Sequence, residues 1–246
     1  MCTVVVLRRP GDAWPLLLAA NRDELADRPS LPPGRHWPDR PHVVAGLDRL
    51  AGGSWLGVND DGVVAAILNR RGTLGPEAGK RSRGEIVLDA LDHADAAEAA
   101  EALAGLDPAG WRPFNLLVAD AQTAWWLRHA GDGAIDVRAL PDGLSFLEAG
   151  ELDDPQSPRT RRFRPRFAAA AAPDPAAGDW TAWSGLLADR SGDDGEPRSA
   201  MCIVTDGPYG TRSASLIALP RWPSEQPVWL HADGRPGEVP FRPVGL

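Results

Sequence analysis

Short apolar runs separated by polar turns recur along the chain, a pattern typical of many short β-strands. Residues 3–9 open with an uninterrupted β-branched run, which predicts a strand buried on both faces. After a turn at Gly11 and Asp12, residues 14–20 predict a second strand and so a hairpin. Antiparallel pairing would bring the next residues, Asn21-Arg22-Asp23-Glu24, back beside the chain start. The alternative is that these polar residues leave the sheet into a loop at 25–40.

The remaining pattern predicts further strands and two pairs of helices. Strands are expected at 43–46, 63–68, 114–119, 124–129, 134–139, 144–147, 201–205, 213–219 and 228–232. Capping residues Ser82, Asp95 and Ser157 begin three helices, the last of which Pro165 is expected to kink or split, and residues 179–190 form a fourth. About a dozen strands with these helices predict one α+β domain over residues 1–246. Its architecture would be a four-layer α/β/β/α sandwich of two stacked antiparallel sheets.

Cys2 is the first candidate for chemistry. It becomes the N-terminal residue once Met1 is removed, and removal is expected when the second residue is small. Cys2 would then carry a thiol with an ordinary pKa of about 8.5 and an α-amine with a pKa of about 8, which can take the thiol proton. A nucleophile with its own base is suited to attack on a carbonyl. The alternative is a small apolar residue that opens a buried strand.

Polar residues at predicted strand ends and turns supply further candidates. Asn69 follows the strand at 63–68, where its amide can donate to a developing oxyanion, although a turn asparagine is the more common explanation. Residues 207–210, Gly-Pro-Tyr-Gly, predict a tight turn that leads into Thr211 and Arg212. The predicted helix after Ser157 carries five arginines, starting with Arg159, and its basic face is either an anion-binding surface or, more commonly, a solvated face.

Composition narrows the classes of partner. The chain has 246 residues, 43% hydrophobic and 24% charged, as in ordinary soluble globular proteins. A net charge of −8 argues against nucleic acid or an anionic membrane surface as the main partner. No long apolar run, signal peptide or Cys/His metal spacing is present, and the two cysteines do not make a disulfide framework. We therefore expect a cytoplasmic protein without metal or membrane insertion, acting on a small molecule.

Seven motifs occur in order between residue 2 and about residue 219. They are Met1-Cys2-Thr3, Asn21-Arg22-Asp23-Glu24, Ala45-Gly46-x-Asp48, Gly52-Gly53-Ser54-Trp55-Leu56-Gly57, Asn69 with Arg70, Ser82-Arg83-Gly84 and Tyr209-Gly210-Thr211-Arg212. Together they resemble the NRDE family, which is also known as the Transport and Golgi organisation protein 2 family. That family in turn is similar to the N-terminal-nucleophile hydrolases of the bile-salt hydrolase and penicillin V acylase group, which cleave amide bonds with an N-terminal cysteine.

The resemblance implies the same four-layer sandwich and a set of roles. Cys2 would be the nucleophile, Asp23 would orient its amine, and Asn69 would hold the oxyanion. Two departures from the acylase pattern stand out. The Arg of the acylases' Arg-Asn-x-Asp pattern is replaced by Ala20, with Arg22 present instead, and residues 144–148 lack the second asparagine.

These observations lead to two hypotheses of function. In the first, Cys2 hydrolyses an amide or thioester bond of a small, partly apolar substrate, with Asp23, Asn69 and Arg22 as further catalytic residues. The predicted substrate-binding residues are Asn21, Glu24, Trp37, Trp55, Tyr209 and Arg212, of which Arg212, like Arg22, would bind an anionic group.

The alternative is a non-catalytic protein that binds haem, a lipid or an acyl group. The resemblance implies it, because members of the family have been linked to haem movement, to lipid or acyl-CoA balance and to Golgi organisation. Haem would be a ligand and no other cofactor is expected. Its axial ligand would be Cys2 or one of His36, His42 and His129. The oligomeric state stays open.

Overall fold

The computed structural model describes residues 2–193, 196–221 and 225–246. The strands are β1 (Thr3–Arg8), β2 (Leu16–Leu25), β3 (Ser30–Gly34), β4 (Val43–Asp48), β5 (Leu56–Asn59), β6 (Val64–Asn69), β7 (Phe114–Ala119), β8 (Ala124–His129), β9 (Asp136–Ala139), β10 (Gly143–Leu147), β11 (Tyr209–Leu219), β12 (Val228–Ala232) and β13 (Arg242–Pro243). The α-helices are α1 (Gly84–Leu91), α2 (Ala96–Ala104), α3 (Pro158–Ala169) and α4 (Thr181–Leu187).

The chain divides into two compact units, and each has its own sheet and helix pair. The first unit comprises Met1–Asp27 and Pro141–Gly245 and contains an antiparallel sheet in the order β10-β1-β2-β11-β12-β13. The second unit comprises Arg28–Leu140 with Leu246 and contains an antiparallel sheet in the order β3-β4-β5-β6-β7-β8-β9. Strands of the first unit therefore come from both ends of the sequence.

One face of the first sheet packs on α3 and α4. The core of this unit joins Val5, Leu17 and Ala19 from the strands to Phe163 of α3 and Trp183 of α4. Side chains alternate along a strand, so residues two and four positions beyond Ala19 share this helix-facing side. The polar members of β2 at those positions are consequently buried under the helices.

The second unit is built on the same principle. Buried residues of α1 and α2, such as Leu91 and Leu103, pack against residues of the second sheet, such as Leu116 and Val118. Asp95 caps α2 by accepting the backbone N–H of Glu98 at 2.8 Å, which confirms the predicted helix start. None of the helices in the described ranges combines the length and apolarity needed to cross a bilayer.

The polar motif at 21–24 lies inside β2, so the prediction that the second strand stops at residue 20 is wrong. Leu16–Leu25 remains extended because β11 pairs with it along its whole length, from Tyr209 opposite Leu25 to Leu219 opposite Leu16. The predicted tight turn at 207–210 is wrong for its second half, since Tyr209 and Gly210 begin β11. A register shift between Thr211 and Ser213 marks a bulge there.

Three further predictions about elements need correction. Residues 201–205 are not a strand, because their backbone bonds elsewhere: the N–H of Ile203, for example, donates to Thr211 Oγ1 at 2.8 Å. The predicted loop at 25–40 contains β3, which pairs with β4. Helix α3 is continuous through Pro165, which lies on its exposed side, where the carbonyl that loses its donor can bond water.

Candidate active site

The chain start lies beside the polar segment of β2. Thr3 on β1 is directly opposite Asn21 in the strand register. The half-buried Cys2 places its sulfur 3.8 Å from the backbone carbonyl oxygen of Asp23, to which its S–H can donate. This confirms the predicted proximity of the cysteine and the motif. Met1 lies outside the described residues.

The environment of Cys2 disfavours a resting thiolate. Burial raises the pKa of the Cys2 thiol above its ordinary value, and the negative charge of Asp23 acts in the same direction. The positive charge of Arg22 opposes this effect without cancelling it. The thiol therefore needs a base at the moment it attacks.

Asp23 is fixed by three partners on two elements, β11 and α3. Its carboxylate accepts a hydrogen bond from Thr211 Oγ1 at 2.6 Å and one from Arg159 Nη1 at 3.3 Å. The hydroxyl of Tyr209 donates to its backbone oxygen at 3.4 Å. Thr211 is the register partner of Asp23 on β11, so the strand pairing itself presents this donor. The aspartate next to the cysteine is thus held rigidly on the helix-facing side of the sheet.

Arg159 ties this arrangement together from α3. Its Nη1 also donates to Thr3 Oγ1 at 2.6 Å, and its Nη2 donates to the carbonyl oxygen of Arg198 at 2.7 Å. A second carboxylate, that of Glu148, lies 3.9 Å from its Nε. One buried guanidinium therefore links the residue that follows Cys2 to the aspartate beside it.

The sequence interpretation of Arg159 as part of a solvated basic face is wrong. Arg159 is four residues before Phe163 and eight before Phe167, both of which are buried in the core. Residues at this spacing share one face of a helix. The helical spacing from Arg159 to Phe163 and Phe167 could have suggested its burial. The sequence alone does not show whether a charged residue at the start of an apolar stripe is buried.

Asn21 has a structural role, and the predicted substrate contact stays a prediction. Its side-chain amide donates to the carbonyl oxygens of Leu187 at 3.0 Å and Met201 at 2.9 Å, so both amide hydrogens are used. The asparagine of the motif thereby fastens the end of α4 and the segment at 201 to the sheet. This bonding is one reason why residues 201–205 do not form a ladder of their own.

The other predicted residues of the first unit lie near the motif. Glu24 accepts a hydrogen bond from the backbone N–H of Leu25 at 2.8 Å, and Arg212 donates to the carbonyl oxygen of Pro208 at 3.0 Å. The guanidinium carbon of Arg198 lies over the ring of Tyr209, 5.2 Å from the ring centre. Their roles in substrate binding stay predictions.

The remaining candidates belong to the second unit. Asn69 ends β6 opposite Phe114, as predicted from the hairpin, and its role as an oxyanion donor stays a prediction. Trp37 donates its indole N–H to the carbonyl oxygen of Gly52 at 2.9 Å. Trp55 covers Gly46 so closely that a Cβ there would lie 2.3 Å from its ring. This contact gives the glycine of the Ala45-Gly46 motif a packing explanation.

Two sequence motifs of the second unit, the one at 52–57 and the one at 82–84, contact each other. The backbone N–H of Ser54 donates to the carbonyl oxygen of Gly84 at 3.0 Å. A Cβ on Gly53 would lie 2.4 Å from the backbone carbonyl carbon of Gly84. The two backbone segments can therefore approach this closely only because Gly53 has no side chain. These glycines join the start of α1 to the strand region and are structural.

The three candidate haem-ligating histidines also lie in the second unit, and each contacts a protein group. His129 is buried, with Nε2 3.4 Å from the carbonyl oxygen of Trp111. His36 places Nε2 2.9 Å from the carbonyl oxygen of Pro32, and His42 lies 3.5 Å from Asp92.

Several solved structures resemble this chain over 91% or more of its length. An N-acylethanolamine-hydrolyzing acid amidase orthologue from Caenorhabditis elegans matches with a TM-score of 0.60 and 13% identity, over 91% of this chain and 94% of its own. Penicillin V acylase from Agrobacterium tumefaciens matches at 0.53 and 14%, over 94% and 83%. A mutant of conjugated bile acid hydrolase from Clostridium perfringens matches at 0.53 and 11%, over 100% and 97%. The fold is therefore that of the N-terminal-nucleophile hydrolases, which confirms the predicted α+β fold class.

Sequence comparison gives the family. The Transport and Golgi organisation 2 family matches residues 1–222, and the chain belongs to that family. The human Transport and Golgi organization protein 2 homolog is 34% identical over 118 residues, which are 46% of this chain and 41% of the human protein. The mouse homolog matches over the same shares at 34% identity. The matched stretch thus spans less than half the length of these relatives.

Proposed function

We propose that the protein is a cysteine-dependent hydrolase that cleaves an amide or thioester bond in a small, partly apolar substrate. The observation that carries this proposal is the position of the Cys2 sulfur, 3.8 Å from the backbone oxygen of Asp23. This thiol lies at the head of the chain beside the backbone of Asp23, whose carboxylate is rigidly held, and with Met1 removed the α-amine of Cys2 would be its base.

The proposed reaction begins with removal of Met1, which leaves Cys2 with a free α-amine. The amine takes the thiol proton as the sulfur attacks the substrate carbonyl carbon, and it returns that proton to the leaving nitrogen or sulfur. The acyl group stays on Cys2 as a thioester. Water, activated by the same amine, then releases a carboxylic acid and restores the thiol.

The neighbouring residues have separate tasks in this scheme. Asp23, held by Thr211 and Arg159, orients the amine. Arg22 follows Asn21 and so points to the opposite face of β2 from Asn21 and Asp23, where it can bind an anionic group.

The names of the structural neighbours favour acyl chemistry. They describe an acid amidase, an acylase and a hydrolase of conjugated bile acids. At 11–14% identity these likenesses carry only the fold, so substrate and activity of this chain rest on the cysteine site.

The test is covalent labelling with an electrophilic β-lactone. The wild-type protein should gain one equivalent of probe, and Cys2→Ala should gain none. Cys202→Ala is the matched control, because Cys202 is buried in the same unit and should leave labelling of Cys2 intact. Equal labelling of wild type and Cys2→Ala would reject the mechanism.

One structural observation bears on the alternative function, the binding of haem or a lipid. Of the predicted axial ligands, Cys2 lies within electrostatic range of Arg22, whose positive charge suits an anionic ligand. Titration with haem distinguishes the two functions. A Soret band that shifts on binding and is lost in Cys2→Ala would support the alternative, and an unchanged spectrum at micromolar haem would reject it.

A further inference from the structure

A second polar cluster lies in the first unit, on β11 and β12. Ser215 and His231 are register partners on these strands, and Ser215 Oγ lies 3.0 Å from His231 Nδ1. The indole N–H of Trp229 donates to the same oxygen at 3.1 Å. All three side chains are buried, with His231 only 6% exposed.

The hydrogen bonds in this cluster favour one tautomer of His231. An indole nitrogen can only donate, so Ser215 Oγ accepts from Trp229. Donation of the serine hydrogen to His231 Nδ1, 3.0 Å away, then pairs the one hydrogen that this hydroxyl has to give. We therefore assign Nδ1 as the acceptor and Nε2 as the nitrogen that carries the ring proton.

His231 Nε2 is left as a buried donor without an acceptor in the part of the chain that the structure describes. Buried polar groups are almost always hydrogen-bonded, and leaving one unpaired is costly. The mechanism above does not use this group. An oxygen atom from outside the chain would satisfy it.

The strand register places this donor on the same face as Arg22. Ala20 pairs with Ser215 on β11, and Ser215 pairs with His231 on β12, so these side chains form one row across the sheet. Arg22 is two residues beyond Ala20 and shares its face. Cys2 precedes Thr3, whose side chain meets Arg159 on the helix-facing side, so an extended chain turns Cys2 toward the Arg22 face.

Arg22 also connects the two clusters electrostatically. Its positive charge lowers the pKa of the Cys2 thiol and that of the His231 imidazole, so its guanidinium lies within electrostatic range of both. Burial is the main cause that keeps His231 neutral and therefore a single N–H donor at Nε2. A neutral donor near an arginine is suited to a carboxylate oxygen.

We propose that His231 Nε2–H and the Arg22 guanidinium form a subsite that binds a carboxylate in the part of the substrate remote from the cleaved bond. This inference rests on the proposed function, because it takes Cys2 as the reacting end. Strand β12, which carries His231, lies two strand spacings from β2 and three from β1, or about 10 Å and about 14 Å. A carboxylate held between Arg22 on β2 and His231 on β12 would therefore lie about 10 to 14 Å from Cys2 at the start of β1. The substrate would be an acyl compound with a carboxylate at that distance from its reactive carbonyl.

The experiment compares paired β-lactone probes that share a reactive group and a linear spacer. One member of each pair ends in a carboxylate and the other in its methyl ester, in a series of spacer lengths spanning about 10 to 14 Å. Second-order rates of Cys2 labelling are measured for the wild type, His231→Phe, His231→Gln and His93→Gln. A β-lactone without a spacer reports the intrinsic reactivity of Cys2 in each variant.

In the wild type the carboxylate probe should react at least about 10-fold faster than the ester at the best length, as expected for one charge-assisted hydrogen bond. His231→Phe should lose this preference, His231→Gln should retain much of it through its side-chain N–H, and His93→Gln should be unchanged. The probe without a spacer should react equally with all four proteins.

Two results would overturn the subsite. They are a wild type that reacts equally with acid and ester at every length, and a His231→Phe variant that keeps the wild-type preference. Failure of the proposed function looks different, because then no probe, with or without a spacer, labels Cys2 in any protein. That result would remove the subsite together with the function on which it rests.

Discussion

Arg159 Nη1 lies 3.3 Å from the carboxylate of Asp23, and their side chains are 1% and 0% exposed. A buried ion pair is expensive to form, because both charges leave water, and removal of one partner strands the other. We therefore expect the loss of either partner to be strongly destabilising.

Replacement of Arg159 by methionine should lower the free energy of unfolding by about 3–5 kcal/mol. The carboxylates of Asp23 and Glu148 would remain buried without their guanidinium, while the methionine keeps most of the volume. Equilibrium unfolding in urea measures the loss. Arg161→Met is the matched control on the same helix, and because Arg161 is exposed its effect should stay within about 0.5 kcal/mol. Equal effects of the two changes would contradict the buried pair.

Replacement of Gly53 by alanine should destabilise the second unit by at least about 1–3 kcal/mol. The new Cβ would meet the backbone of Gly84 at 2.4 Å, and backbone cannot move aside as a side chain can. Gly185→Ala in α4 is the control, because a Cβ there meets nothing within 4 Å and alanine favours a helix by about 0.5–1 kcal/mol. Urea unfolding of both variants should show changes of opposite sign. A Gly53→Ala protein of unchanged stability would rule out the close approach.

The sequence predicted the parts of the site that depend on local pattern. The β1–β2 hairpin follows from two apolar runs around Gly11 and Asp12, and it places Cys2 beside the motif. The extension of β2 through Asp23 depends on pairing with Thr211, 188 residues later, which local pattern does not encode. The same long separation explains why Tyr209 and Gly210 were predicted as part of a turn, because the sequence carries no local sign that they pair with Leu25 and Glu24.

Two other features were out of reach for a different reason. Arg159 carries a charge whose burial depends on carboxylates from β2 and from residue 148, so its exposure is a property of the assembled unit. The segment at 201–205 has the composition of a strand, but Asn21 and Thr211 satisfy its backbone groups with side chains. In both cases a tertiary contact overrides the local preference.

The stability of the protein should fall as the pH is lowered from about 6.5 to about 4. Burial, aided by the positive charge of Arg22 and opposed by Asp233, lowers the pKa of His231 to about 4. Between that value and an ordinary imidazole pKa of about 6.5, the unfolded chain binds a proton that the folded chain does not, so protonation favours unfolding. The full difference corresponds to about 3 kcal/mol.

Unfolding free energies of the wild type and His231→Gln, measured from pH 4 to 7, isolate this contribution. The difference between the two proteins should shrink as the pH falls through that window, because the variant has no imidazole to protonate there. A constant difference across the window would show that His231 titrates normally in the folded protein.

Alkylation of Cys2 by iodoacetamide should continue to accelerate above the ordinary thiol pKa of about 8.5. Burial raises the pKa of this thiol, so its thiolate fraction at neutral pH is lower than that of a free cysteine. Rates measured from pH 7 to 10 in a Cys202→Ala background, against a free cysteine peptide, check this. A plateau at or below the pH at which the peptide levels off would contradict the buried environment of the sulfur.

The identity of the first residue and the site of acylation test the central claim together. The protein is treated with a β-lactone and digested, and the N-terminal peptide is sequenced by tandem mass spectrometry. We expect a peptide that begins at Cys2 and carries the probe on that residue, either on its sulfur or, after S-to-N acyl transfer in the digested peptide, on its α-amine. A peptide that keeps Met1, or a probe carried elsewhere in the chain, would contradict the central claim.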